Sequence, residues 1–146
     1  MNHISPLLGP LVALVAWTIV MLFWAVASSV GAARQADPDR IPAEGTRLRD
    51  LEGVIPAKAS WPRQNYEHLL EQPTLFYAIL LALVAMGDRF AINLWLAWAY
   101  VALRVVHSLY QSTVNVGRVR GLIFVLATLC LLGLTLHAAI ALFHRG

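Results

Sequence analysis

Tyr100-Val101-Ala102-Leu103-Arg104-Val105-Val106-His107-Ser108-Leu109-Tyr110-Gln111-Ser112-Thr113-Val114-Asn115 is the stretch on which the fold turns. It lies in an apolar run, yet it carries a guanidinium, an imidazole, amides and hydroxyls. Arg104, His107, Ser108, Gln111 and Asn115 stand at i, i+3, i+4, i+7 and i+11, which places them on one face of a helix. Tyr100, four residues before Arg104, joins that face, whereas Tyr110 lies about 100° from Gln111. A charge inside a membrane helix costs roughly 2.5–3.5 kcal/mol on insertion scales, so the stripe is expected to face a bundle interior, a subunit interface or a wet cavity.

The rest of the chain supplies the membrane context. Of its 146 residues, 59% are hydrophobic and 13% charged, against about 25% charged in a soluble domain. This is the composition of an integral membrane protein forming one domain. The net charge of +3 is no signal for nucleic acid, because most of the basic residues sit in one loop, a pattern that fits membrane topology. Cys130 is the single cysteine; it excludes an intrachain disulfide and any thiolate metal cluster.

Working outward, four helical spans are expected over residues 6–33, 64–86, 90–116 and 122–143. The N-terminal apolar run lacks Lys or Arg before it and is too long for a signal-peptide core, so it is read as a retained span. Residues 34–63 form a polar loop with six basic residues: Arg34, Arg40, Arg47, Arg49, Lys58 and Arg63. Basic loops stay cytoplasmic, so both termini are expected in the periplasm or a lumen. Gly87-Asp88-Arg89 reads as a tight turn, 116–121 as a basic turn, and Pro73 as a kink in the second span. Short turns between the last three spans predict an all-α, left-handed four-helix bundle.

A second polar stripe opens the second span: Asn65-Tyr66-Glu67-His68-Leu69-Leu70-Glu71-Gln72-Pro73. Asn65, His68 and Glu71 or Gln72 are expected to share a face and to meet the Arg104 stripe at similar depth. Glu71 and Arg104 are opposite charges that can pair there. Polar residues in membrane helices also serve simply to hold helices together, and His137, alone in the fourth span, is read in that way.

The run Arg63-Gln64-Asn65-Tyr66-Glu67-His68-Leu69-Leu70-Glu71-Gln72-Pro73-Thr74-Leu75-Phe76-Tyr77 resembles the second helix of the MAPEG family, the membrane-associated proteins in eicosanoid and glutathione metabolism. Arg104-Val105-Val106-His107-Ser108-Leu109, followed by Asn115 and a basic turn, resembles its third helix. The resemblance implies a homotrimer with glutathione bound between subunits near the cytoplasmic side. It matches Glu71 to a glutamate that holds the glutathione amine and Arg104 to the third-helix arginine. His107 matches a histidine of some members, and Arg63 lies near the second-helix arginines. Arg118 or Arg120 lies near the arginine that stabilises the thiolate. His68 stands where many members have asparagine. Gln111 stands where eicosanoid synthases have tyrosine, which keeps glutathione binding and speaks against eicosanoid chemistry.

The expected catalytic set is therefore Arg104, Arg118 and Arg120. The expected glutathione-binding set is Arg63, Asn65, His68, Glu71, His107 and Gln111. The expected function is a glutathione-dependent transferase or peroxidase acting on hydrophobic electrophiles, with the lipid bilayer, a hydrophobic substrate and further copies of the chain as partners and no nucleic acid. The alternative is a non-catalytic membrane protein of the same fold that binds a lipid or a partner protein.

Overall fold

A computed structural model describes residues 4–41 and 44–145, with side chains as far as Phe143. It is built from helices α1 (Leu8–Ala33), α2 (Ala57–Glu71), α3 (Pro73–Ala85), α4 (Ala91–Thr113) and α5 (Gly117–Arg145). The connection after α1 contains two short 3-10 turns, Pro38–Arg40 and Leu48–Leu51; residues 42 and 43 of the expected loop lie outside the described residues. Among the described residues, four helical stretches are long and apolar enough to cross a bilayer, α2 and α3 together forming the second. The crossings made by α1 and α5 are the more apolar; those made by α2–α3 and by α4 are less so. The chain is a multi-pass integral membrane protein. Large apolar side chains on α1 and α5, such as Phe23, Leu122, Leu132 and Leu136, are exposed, as the lipid-facing side of a bundle requires.

The second crossing breaks where a kink is expected. Pro73 has no N–H to give to the Leu69 carbonyl, so α2 ends and α3 begins across Gln72, whose backbone stays helical at φ −58°, ψ −38°. Three boundaries differ from the sequence reading by about three residues or more. α2 starts at Ala57, seven residues before residue 64, because Pro56 holds an extended ψ of 135° immediately ahead of it; Lys58 and Arg63 hide this turn from an apolar count. α4 stops at Thr113, and Asn115 takes a left-handed φ of 58°, a conformation asparagine tolerates better than most residues. Asn115 therefore leaves the stripe. α5 starts at Gly117, so Arg118 and Arg120 sit in its first turn rather than in a loop.

α4 is the central element. Its buried residues Asn93, Ala97, Tyr100, Val101, Arg104, His107, Ser108, Gln111 and Ser112 repeat at three- and four-residue steps, the mark of one inward face. α5 runs antiparallel to it. Asn93 bonds His137 at one end, and His107 faces Phe124 at the other, with ring centroids 6.3 Å apart. Between them Gly133 lets the backbones close; a Cβ there would lie 3.2 Å from Leu96 Cδ1. The dry middle holds Phe76 stacked on Tyr100 at 4.3 Å, with Leu14, Met21, Leu80 and Leu134 buried around it. The bundle thus has a loop end, where residues 34–41, 44–56 and 114–116 lie, and a turn end at residues 86–90.

The loop after α1 is fastened to α2. Leu51 and Ile55 are buried. The buried Arg63 donates to Glu52 at 2.5 Å and to Glu67 at 2.6 Å. Gln64 Nε2 donates to the same Glu52 oxygen at 2.6 Å. Ser28 adds a bond from α1 to the Ala59 carbonyl at 2.9 Å.

Candidate functional site at the loop end

The two stripes meet, but not along their whole length. On a helix of 100° per residue, Asn65 and Glu71 are six positions and so about 120° apart, while Asn65 and Gln72 are only about 20° apart. The observed side chains follow this arithmetic. Asn65 is fully buried. Gln72 stays on the same inner side, donating to Thr128 Oγ1 at 2.8 Å and lying 3.4 Å from the Tyr100 hydroxyl. His68 and Glu71 swing outward, their side chains 46% and 67% exposed, and meet each other at 2.9 Å.

A cavity of about 320 Å³ opens beside them, lined by His68, Glu71, Gln72, His107, Gly117, Arg120, Gly121 and Phe124. α5 shapes it by omission. Gly117 and Gly121 lie one turn apart, and a Cβ on either would meet nothing within 4 Å. Phe124, one position further along that face, forms the floor. The N-terminal end of α5 edges the cavity and contributes partial positive charge. Arg120 is held there by its bond to Asn115 Oδ1 at 2.7 Å.

Arg104 lies fully buried beneath this cavity. Its Nη2 donates to the His68 carbonyl at 2.8 Å, and its guanidinium sits 5.9 Å over the Phe124 ring. Among the described residues, Nε and Nη1 have no partner, and neither does His107 Nδ1. The direct Glu71–Arg104 pair that the sequence allows is not made, because Glu71 turns outward to His68 while Arg104 takes a backbone carbonyl.

Of the expected site residues, the structure gathers His68, Glu71, His107 and Arg120, with Arg104 behind them. It does not bring Arg63, Asn65, Gln111 or Arg118 to the cavity. Arg63 is committed to Glu52 and Glu67. Asn65 and Gln111 are fully buried in the bundle, their amide atoms without protein partners. Arg118 is exposed on the outer side of α5. Sequence reasoning missed Gly117, Gly121 and Phe124 as cavity walls. Their i, i+4, i+7 spacing was the available signal, and it was hidden because 116–121 was read as a turn.

No group of three or more metal-ligating side chains occurs among the described residues. No curated protein and no solved structure matches the chain. A family model does match, over residues 7–140, which include both stripes and all but the end of the fourth crossing, and the chain belongs to the MAPEG family.

Proposed function

We propose that this protein is a glutathione-dependent transferase or peroxidase acting on hydrophobic electrophiles from the bilayer, and that it works as a homotrimer. The observation that carries the reading is the loop-end cavity. It sets one outward carboxylate, Glu71, against a positive wall made of Arg120 and the start of α5, above a buried arginine with two unused donors. Glutathione presents the complementary groups: an ammonium for Glu71, and carboxylates and a thiolate for the positive side.

A free thiol has a pKa near 8.5, so little thiolate exists at neutral pH. Lowering that by about two units takes roughly 2.7 kcal/mol of preferential stabilisation of the anion. An arginine in a low-dielectric pocket is enough to supply it. Arg120 lines the cavity and Arg104 lies one layer below, so Arg120 is assigned the thiolate and Arg104 the framework. The thiol proton leaves to solvent. The thiolate then attacks an electrophilic carbon, forming the C–S bond as the leaving group departs with its electron pair. With a lipid hydroperoxide it attacks the distal oxygen, giving an alcohol and a sulfenic acid; a second glutathione then forms the disulfide and water.

Self-association is supported by the exposure of His68 and Glu71. Counting about 20 residues back from the Gly87 turn puts the loop-end bilayer boundary near Tyr66. Both residues therefore lie just inside, where lipid contact is costly and coverage by a neighbouring copy relieves it. The six basic residues of positions 34–63 favour a cytoplasmic loop end, with both termini across an inner membrane.

The test is a glutathione titration of the purified protein in nanodiscs, followed by thiolate ultraviolet absorbance at neutral pH. A saturable signal lost in Arg120→Ala is expected. Binding by calorimetry without a thiolate signal would leave a thiol-binding protein with no activation. Absence of binding at millimolar glutathione would overturn the reading in favour of the non-catalytic alternative.

A further inference from the structure

The opposite end of the bundle holds a second cavity, of about 470 Å³, lined by Met86, Asp88, Phe90, Ile92, His137, Ile140 and Ala141. Its size falls in the range of about 300–1,000 Å³ typical of small-molecule sites. The lining is apolar except for Asp88 and His137, and these two are joined through a third residue. Asn93, itself buried, donates from Nδ2 to Asp88 Oδ2 at 3.0 Å, and its Oδ1 lies 2.6 Å from His137 Nδ1.

The direction of this relay follows from donor and acceptor chemistry. A carboxylate only accepts, so Asp88 forces the Asn93 amide to turn its NH₂ toward it and its oxygen toward the imidazole. An amide oxygen only accepts, so His137 Nδ1 carries the proton. In the neutral ring, Nε2 is then left as an acceptor. Each Asn93 group has a partner, and Asn93 itself does not line the cavity. What the lining residues retain for a ligand is the Asp88 carboxylate and the imidazole Nε2, both acceptors. Among the described residues Asp88 forms no ion pair, and its neighbour Arg89 is exposed without one. The C-terminal end of α3 closes the cavity at Met86 and adds partial negative charge.

We propose that this turn-end cavity is a second binding site, for a lipophilic amine: an apolar body with a primary ammonium head and no anionic group. The ammonium supplies three donors and one positive charge to a pocket whose free polar atoms are acceptors and whose one fixed charge is negative. The apolar body lies along Phe90, Ile92 and Ile140. A fatty acid is rejected by repulsion from Asp88, and the phosphate of a zwitterionic phospholipid meets the same repulsion. The site is independent of the thiol reading, since it shares no residue with the loop-end cavity.

The experiment uses the full-length protein in phosphatidylcholine nanodiscs and three photoreactive C12 probes carrying the same chain diazirine: an amine, an alcohol and a carboxylic acid. Crosslinked peptides are located by mass spectrometry. The expected result is saturable amine labelling of the segments containing Phe90–Ile92 and Ile140–Ala141. The alcohol should label at least about tenfold less, the loss expected when a charge-assisted bond is missing, and the acid should not label above the background on the exposed face of α1. Asp88→Asn, which keeps an acceptor for Asn93 but removes the charge, should bring the amine down to the level of the alcohol. Ile140→Trp, which fills the cavity and leaves the relay in place, should abolish both. Equal labelling by amine and alcohol would overturn the proposal, and so would amine labelling indifferent to both substitutions or spread evenly over α1.

Discussion

The two ends of α4 carry the same kind of residue and opposite electrical sense. At the loop end the buried charge beneath the cavity is Arg104, the unused groups include guanidinium donors, and the neighbouring helix terminus is the start of α5. At the turn end the buried charge is Asp88, the free atoms are acceptors, and the neighbouring terminus is the end of α3. A dry middle, with Phe76 stacked on Tyr100, separates them. One polar stripe is therefore not one site. Its meaning changes along the helix with the sign of the nearest buried charge and with which helix ends are nearby.

The largest test of this contrast is Arg104→Leu. It removes the bond to the His68 carbonyl and the charge under the loop-end cavity, so glutathione affinity should fall by one to two orders of magnitude. Amine labelling at the turn end should stay within about twofold, because well-separated sites behave independently. Coupled losses at both ends, read in the same nanodisc preparation, would show the two cavities to be one system.

Gly121→Leu comes next. The substitution fills the open space beside Gly121 without altering charge, so it should weaken glutathione binding by about tenfold or more through exclusion alone, the order set by losing one well-made contact set. Thermal stability in detergent should be unchanged or slightly higher. A retained affinity would place the thiol ligand elsewhere.

Arg63→Met should move stability and not affinity. It leaves Glu52 and Glu67 without their shared cation, but both carboxylates are about half exposed, so the cost is about 1–2 kcal/mol rather than that of a fully buried pair. It reads as a lower thermal midpoint with an unchanged glutathione titration. The smallest effect is expected for Gln72→Leu. This removes the bond to Thr128 on α5 and the acceptor for the Tyr100 hydroxyl, together worth about 1 kcal/mol at about 0.6 kcal/mol per interhelical contact in a membrane, and it should be detected as a slight drop in the same midpoint.

Much of the fold can be read from the chain because membrane spans and a helical stripe are both periodic features. The inward set from Tyr100 to Gln111 follows from spacing alone, and so does the break at Pro73. The second-helix stripe was less legible, since a six-residue step fans side chains through about 120° and sent Glu71 outward while Gln72 stayed in. Asn115 left its helix through a left-handed backbone, which no apolar pattern encodes. The pairing of Arg63 with Glu52, eleven positions earlier in a polar loop, follows from no helical pattern. The Asp88–Asn93–His137 relay was invisible because His137 lies 44 residues from Asn93 and each member, taken alone, is an ordinary polar residue in or beside an apolar run.

The unequal greasiness of the four crossings has a consequence for how the protein is made. α1 and α5 are apolar enough to leave the translocon for lipid unaided, whereas the second crossing and α4 each bring a polar stripe with them. Both of these emerge from the ribosome before α5. They satisfy each other through contacts such as the Arg104 guanidinium on the His68 carbonyl, which exist only once both are present. The pairing of the two less apolar crossings favours entry of the middle of the chain into the bilayer as a helical hairpin, with α5 covering it afterwards.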